Sequence, residues 1–438
     1  MLDAMPLPLV ACGALALAVG LATGCRSAGS DDSTVELWAM GREGEVVQRL
    51  VPGFEESHPG VRVRVQQIPW SAAHEKLLTA FAGGALPDVL QLGTTWIAEF
   101  VALGALEPLD ERLAQAPTVP RDDFFPGILD AGVVDGATWA LPWYVDTRLL
   151  FYRADLLRRA GIDGAPRTWE TWRTAMERVR SAGGPGSYAI LLPLSEWEPP
   201  VILAMQQGAT LLRDGDARGD FQSPAFRAGF AFYLDLFRSG LAPKGGEAQA
   251  TNLYQGFAEG LFSFLVTGPW NLGELRARLP SELAEAWSTA AMPAPDADWP
   301  GVSLAGGASL AVSLASPRKD AAWEWVAWLC EAAQQLEFQR LTGDLPARRS
   351  AWRNGDLASE PRAAAFWTQL ARVRPAPKVP EWERIAARIA QHAESAIRGQ
   401  ATIDDALARL DADADLILEK RRWLRARASG TPAPEARP

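Results

Sequence analysis

Hydrophobic positions in this chain recur with two periods, and the switching between them predicts an α/β protein. Val35-Glu36-Leu37-Trp38 is a short strand-like run, and Val61-Arg62-Val63-Arg64-Val65 alternates cleanly, as a half-buried strand does. Between them Val46, Val47, Leu50, Val51 and Phe54 fall at helical spacing over 43–56, with Pro52 predicting a kink or a restart. A helix over 74–81 should stop at Gly83-Gly84. The run 89–92 is a buried strand, and a helix over 96–103 should end at Gly104. This strand–helix order argues a parallel sheet with helical crossovers.

Further along, 148–152 is a strand and 155–160 a helix ended by Gly161. Thr168 has the chemistry of an N-cap for a helix over 169–182. A strand over 188–192 follows, then a helix over 223–237, a buried strand over 260–266, and a turn at Gly268-Pro269-Trp270. The run 309–314 is a strand. Asp320 should cap one long Trp-rich helix that reaches Leu341 and stops at Gly343. Helices over 382–398 and 403–422 complete the pattern, with a Pro- and Ala-rich tail over 426–438. No 20- to 50-residue repeat is visible.

The N-terminus changes the picture. An apolar stretch over 7–21 is short for a membrane span and fits the core of a signal peptide, and Ala22-Thr23-Gly24 precede Cys25. That arrangement predicts a lipoprotein-type signal peptide over 1–24, lipidation of Cys25, and a polar tether over 25–34 rich in Ser, Asp and Gly. The address is then extracytoplasmic, in the periplasm or on the outer face of the cytoplasmic membrane. Cleavage would remove Cys12, leaving Cys330 as a small core residue.

Composition narrows the chemistry. A net charge of −10 over 438 residues argues against a nucleic-acid footprint. The three histidines, His58, His74 and His392, lie outside metal-ligand spacing, and no nucleophile elbow or phosphate-binding loop occurs. No metal, no cofactor and no enzymatic activity are expected, although spacing alone leaves a lipid-anchored, two-carboxylate glycan hydrolase open. The outlier is tryptophan, with 18 copies. Tryptophans and carboxylates or amides repeatedly share strand ends: Trp38 before Glu43, Trp143-Tyr144 before Asp146, Glu196-Trp197-Glu198, and Trp270-Asn271. Trp96 and Trp382 open predicted helices and join the candidates. A flat aromatic face covers the C–H face of a sugar ring, and carboxylates accept from its hydroxyls. Charged hydrogen bonds of about 1.5–3 kcal/mol and stacking of roughly 0.5–1.5 kcal/mol suffice for one small ligand. Ligands of open α/β sheets bind beyond the carboxyl ends of strands, where these residues stand. By contrast Trp323, Trp325 and Trp328 sit on one helix at core spacing.

Several phrases in fixed order carry a family resemblance: LPDV (86–89), FVALGALEPLD (100–110), WALPWYVDTRLLFYRADL (139–156), GLFSFLVTGPWNLGEL (260–275), GGASLAVS (306–313), DAAWEWVAW (320–328) and TGDLPAR (342–348). The chain resembles the carbohydrate-binding, maltose-binding-protein-like family of ABC importer solute-binding proteins. The resemblance implies a two-lobed periplasmic-binding-protein-like fold, each lobe an α/β sheet sandwich, with the ligand in a cleft at a multi-crossover hinge. Lobe one would be 35–144 plus 304–346 and lobe two 146–302 plus 350–425, with closure about the ligand. It implies a monomer that binds a mono- or oligosaccharide and partners the transmembrane permease subunits, with the lipid as its membrane contact. It further implies Asp146 on sugar hydroxyls beside Tyr144, and Trp270 as a stacking face. Gly306 and Gly307 would let backbone approach the ligand, and Arg348 and Glu43 would contact it. Relatives carry an acid just before the helix at Trp96, where this chain has Gly93-Thr94-Thr95. The same fold could instead hold a polyol, glycerol phosphate, peptide or polyamine.

Overall fold

The computed structural model describes residues 34–245 and 252–428. The expected signal peptide, Cys12, Cys25 and nearly all of the tether lie outside the described residues, as does the tail after Ala428.

The chain lays down β1 (Thr34–Met40), β2 (Arg62–Ile68), β3 (Val89–Gly93) and β4 (Leu141–Asp146) in one sheet. It then crosses to a second sheet for β5 (Leu149–Arg153), β6 (Ile190–Leu191), β7 (Phe264–Thr267) and β8 (Trp287–Ala290). It returns for β9 (Gly306–Val312) and β10 (Leu345–Pro346), giving a first sheet of order β10-β4-β9-β3-β1-β2 and a second of order β8-β5-β7-β6. The parallel expectation holds for β2, β1 and β3. It fails for β9 and β10, which run antiparallel to their neighbours. The reason is the route: β9 returns from the second sheet at the edge where β4 left, and β10 starts at that same rim after the helix Ala332–Thr342. The carboxyl ends of β1 to β4 and the amino ends of β9 and β10 therefore meet along one rim.

The burial of each strand follows its sequence. The apolar run of β3 is covered on both faces, whereas β2, with Arg62 and Arg64 outward, is an edge strand. Pro52 marks a restart: Gly41–Val46 is one short helix and Val51–Ser57 another, with the proline in the latter's first turn, where its missing N–H costs nothing. Thr168 caps Trp169–Ala182 in a reciprocal capping box with Thr171, and Ser223 caps Pro224–Arg238.

Local sequence misled in four places. The Trp-rich helix is two, Lys319–Leu329 and Ala332–Thr342, broken at Cys330-Glu331. Arg318 holds its N-cap position, while Asp320 lies in the first turn and pairs with Arg112 at 2.9 Å. Gly260 closes a helix over Leu253–Glu259 in the left-handed conformation, so strand β7 starts only at Phe264. Pro199 and Pro200 fit the first turn of a helix, Glu198–Gln206, in a stretch where periodicity predicted no element. Trp270 opens a helix, Trp270–Arg278, rather than closing a turn.

One buried cluster spans the crossing, from Trp325 through Trp143 and Leu149 to Phe151 and Trp287. Trp325 and Trp328 stack at 5.5 Å in the first lobe, and Cys330 is buried and free. Only Thr147 and Arg148 separate β4 from β5, so the lobes are joined by a short connection lying against continuous core.

Candidate functional site

The rim of the first sheet faces the second lobe across a cavity of about 770 Å³. That rim and the segments beside it supply Glu43, Trp70, Trp96, Tyr144, Asp146, Gly306, Gly307 and Asp344, and facing them are Trp197, Glu198, Tyr254, Trp270 and Glu383. That volume lies within the roughly 300–1,000 Å³ usual for small-molecule sites. A hollow near Gly399–Thr402 is lined by no aromatic residue.

At one pole the polar groups form a relay. The Met40 N–H donates to Gln91 Oε1 at 2.7 Å, and Gln91 Nε2 donates to the Tyr144 hydroxyl at 3.2 Å. That hydroxyl donates to Glu43 Oε1 at 3.3 Å, and Trp70 Nε1 donates to Glu43 Oε2 at 3.3 Å. Burial pushes the Glu43 acid up, partly opposed by these hydrogen bonds and by Arg42. Burial raises the Tyr144 hydroxyl well above its ordinary range, with Glu43, Asp344 and Asp146 adding to it. Tyr144 therefore acts as a neutral donor. Asp344 is held up to about 7 by burial and then by Glu43, with Asp146 adding and Thr342 and Arg42 opposing. The left-handed Gly343 (φ 88°) ends the preceding helix and turns Asp344 onto the rim.

At the crossing, Arg148 Nη1 donates to both Asp146 oxygens at 3.1 Å and Nη2 donates to Glu198 Oε1 at 2.9 Å. Its guanidinium also lies 4.5 Å from the Trp270 ring centroid. One arginine thus ties the end of β4 to the opposite lobe and covers one face of Trp270. Burial raises the Asp146 acid, Arg148 opposing and Glu198 adding. Glu196, behind this cluster, is raised to about 7 by burial, again against Arg148. Trp270 is 36% exposed, and its ring folds over Gly268, where any Cβ would collide with it.

Glu43, Trp96, Tyr144, Asp146, Trp197, Trp270, Gly306 and Gly307 line the cavity. Gly307, at φ 126°, is glycine because a Cβ would strike the Tyr144 carbonyl; its freedom serves the approach of β9 to β4. The structure keeps four expected contacts off the wall. Trp38 is 9% exposed, lies in the core, and donates to Glu36 at 3.1 Å. Asn271 is 2% exposed; its Nδ2 donates to Thr267 at 2.7 Å and its Oδ1 accepts from the Tyr254 hydroxyl at 3.0 Å, so it orients Tyr254. Trp382 is fully buried and meets Trp197 edge-on at 5.3 Å. Arg348, 4% exposed, donates to Asp123 Oδ2 at 2.7 Å and to the Cys330 carbonyl at 2.9 Å.

Other lining residues carried no expectation. Trp70 follows Pro69 at the end of β2, so the aromatic-at-strand-end pattern could have found it. Asp344 sits inside the TGDLPAR phrase, where only Arg348 was singled out. Tyr254 had no sequence signal. Gly93, Thr94 and Thr95 line the wall without a carboxylate, while Asp344 and Glu383 bring acids from elsewhere.

The profile of the bacterial extracellular solute-binding proteins matches residues 39–336. The sugar-binding protein MalE of Xanthomonas citri is 45% identical and superposes with a TM-score of 0.86, covering 90% of this chain and 99% of that one. The diacetylchitobiose binding protein DasA of Streptomyces coelicolor is 24% identical over 368 residues, covering 82% of this chain and 84% of its own. A mannitol-binding protein of Pseudomonas aeruginosa is 28% identical over 399 residues, covering 83% of this chain and 87% of its own.

Proposed function

The chain belongs to the bacterial extracellular solute-binding protein family, and we propose that it captures a saccharide outside the cytoplasm and presents it to the permease of an ABC importer. The observation that carries this reading is the cavity wall, where the aromatic faces of Trp70, Trp96 and Trp270 stand among the carboxylates of Glu43, Asp146 and Asp344. Tryptophan faces suit the apolar side of a pyranose, and the acids suit its hydroxyls. The names of the Xanthomonas and Streptomyces relatives support a sugar.

In this reading the lobes, 35–144 with 304–346 and 146–302 with 350–425, close on the ligand about the crossings. The protein works as a monomer, binds without turnover, and is held to the membrane by lipid on Cys25. Mass spectrometry of the mature N-terminus tests the anchor: an unmodified N-terminus overturns it. Titration calorimetry against neutral mono- and oligosaccharides tests the ligand class. Trp270→Ala should weaken the best ligand by about tenfold through lost stacking and a released Arg148. Unchanged affinity in that variant overturns the site, and steady release of product from a chromogenic glycoside overturns binding without turnover. The mannitol-binding relative favours adding polyols to the panel as a second reading.

A further inference from the structure

Asp344 is a buried carboxylate on the cavity wall that has no ion-pair partner among the described residues. The residue is 8% exposed. Its backbone N–H donates to the Thr342 hydroxyl at 3.0 Å and that hydroxyl steadies its carboxylate, but no cation among the described residues forms an ion pair with it. Its neighbours are engaged. Glu43 accepts from Trp70 and Tyr144, and Asp146 accepts from Arg148. The nearby cations are engaged too: Arg148 is shared between Asp146 and Glu198, and the exposed Arg42 donates to the Leu341 carbonyl at 3.3 Å.

Topology puts these acids together. Leu345 pairs with Val145 across β10 and β4, so one step further along the ladder Asp344 comes opposite Asp146. Helix Gly41–Val46 brings Glu43 to the same pole. A carboxylate largely removed from water, with Arg42 offsetting its charge only in part, is costly, and a ligand that fills the cavity removes the remaining water. Two chemistries relieve that cost. The acid can take a proton, or the ligand can bring a positive charge.

We propose that this pole receives the ammonium group of an amine-bearing saccharide, held by the Asp344 and Glu43 carboxylates beside the Trp70 and Trp96 rings. The inference rests on the saccharide reading above and narrows it to aminated sugars. The aromatic edge supports it, since indole faces attract cations and Trp70 and Trp96 stand 5.8 Å apart in an edge-to-face pair on the cavity wall. Neutral hydroxyls would satisfy the hydrogen bonds but leave the charge of the acids uncompensated.

The groups facing Asp344 set the sign of the pH effect. They are Glu43 and Arg42 from helix Gly41–Val46, and Asp146 and Tyr144 from β4. With Asp344 held up to about 7, ammonium binding needs a proton to leave it, so affinity for a charged amine should rise as pH climbs through that value. A neutral sugar that uses the protonated acid as a donor should weaken over the same interval.

The test is titration calorimetry with glucose and its four monoamino-deoxy analogues, bearing the amine at carbon 2, 3, 4 or 6, beside a panel of neutral oligosaccharides. The expected result is one analogue bound about tenfold or more tightly than glucose. Its affinity should rise with pH once the amine's own titration is subtracted. In Asp344→Asn the ratio of amine to neutral affinity should fall toward unity, and Glu43→Gln should lower it independently if the first variant folds poorly. A neutral sugar that binds while no analogue exceeds glucose overturns the ammonium site and leaves saccharide capture standing. A preference for the amine that survives in both variants also overturns it. If no saccharide of either kind binds, capture and ammonium site fall together.

Discussion

Asp344 and Arg348 lie on the same short segment, and the fold treats them in opposite ways. Arg348 is enclosed and fully engaged: Asp123, Thr118 and Cys330 accept from its guanidinium, and Gln335 accepts from its backbone N–H. Asp344, nearly as buried, has a carboxylate with no ion-pair partner among the described residues, steadied only by the Thr342 hydroxyl and the more distant charge of Arg42. The difference teaches where to look for function. A buried charge with its counter-charge and hydrogen bonds in place is architecture, whereas a buried charge on a cavity wall with no counter-charge beside it is waiting for something that is not protein. Sequence alone ranks the pair the other way, because an arginine after a Leu-Pro turn stands out more than an aspartate before it.

The largest effect that can break this comparison is the loss of the enclosed arginine. Arg348→Ala removes the enclosed arginine nearest Asp123, leaving it only Ser350 and the more exposed Arg353, and should cost about 3–5 kcal/mol in urea unfolding. The pH dependence follows from Asp123. Burial alone would raise its acid, but Ser350 and Arg348 hold it below the usual carboxylate range. Its contribution is therefore complete above the unfolded carboxylate pKa and is lost as pH falls through the lower folded value. Arg348→Ala should flatten that acid limb. Ligand affinity that drops in this variant while stability holds would return Arg348 to the site.

A middle-sized effect, of opposite sign, belongs to Asp344. Its folded acid, at about 7, lies above the unfolded carboxylate value, so the folded state binds the extra proton between the two. Stability present below the unfolded value, about pH 4, should decline as pH rises toward neutrality. Asp344→Asn removes that decline and should leave the protein on the order of 1–3 kcal/mol more stable than the parent above neutrality, with little difference in acid. Thermal unfolding across that pH range measures it, and a variant less stable at high pH would show that Asp344 is satisfied after all.

The smallest effect tests the same contrast between adjacent residues. Trp270 lines the cavity and Asn271 lies behind it. Asn271→Ala breaks bonds to Thr267 and Tyr254 and should cost about 1 kcal/mol of stability. Its influence on affinity should come only through a loosened Tyr254, so a larger loss of affinity than in Trp270→Ala would invert the assignment of the two.

Much of this was legible beforehand, for local reasons. Apolar periodicity placed β1, β2 and β3 within a few residues, and Thr168 and Ser223 announced their helices because a hydroxyl at an N-cap satisfies backbone N–H groups immediately beside it. Aromatics at strand ends and helix starts pointed to Trp96, Trp197 and Trp270 on the cavity wall. The same pattern failed for Trp38 and Trp382, because neighbours distant in sequence cover both. Lys76 lies over the Trp38 ring at 4.5 Å, and Trp197 meets Trp382.

By itself, then, the sequence determined the alternation of strands and helices, the supply of aromatics and acids at strand ends, and the family likeness carried by its phrases. These depend on neighbours a few residues apart. Tertiary structure decided which acids are spent and which are free. Arg148 reaches Asp146 at the end of β4 and Glu198 beyond the second sheet's β6, Arg348 crosses to Asp123, and the start of β10 sets Asp344 on the rim with no ion pair. A charge is neutralised by whatever the fold brings within a few ångströms, and for these residues that partner lies up to 225 positions away.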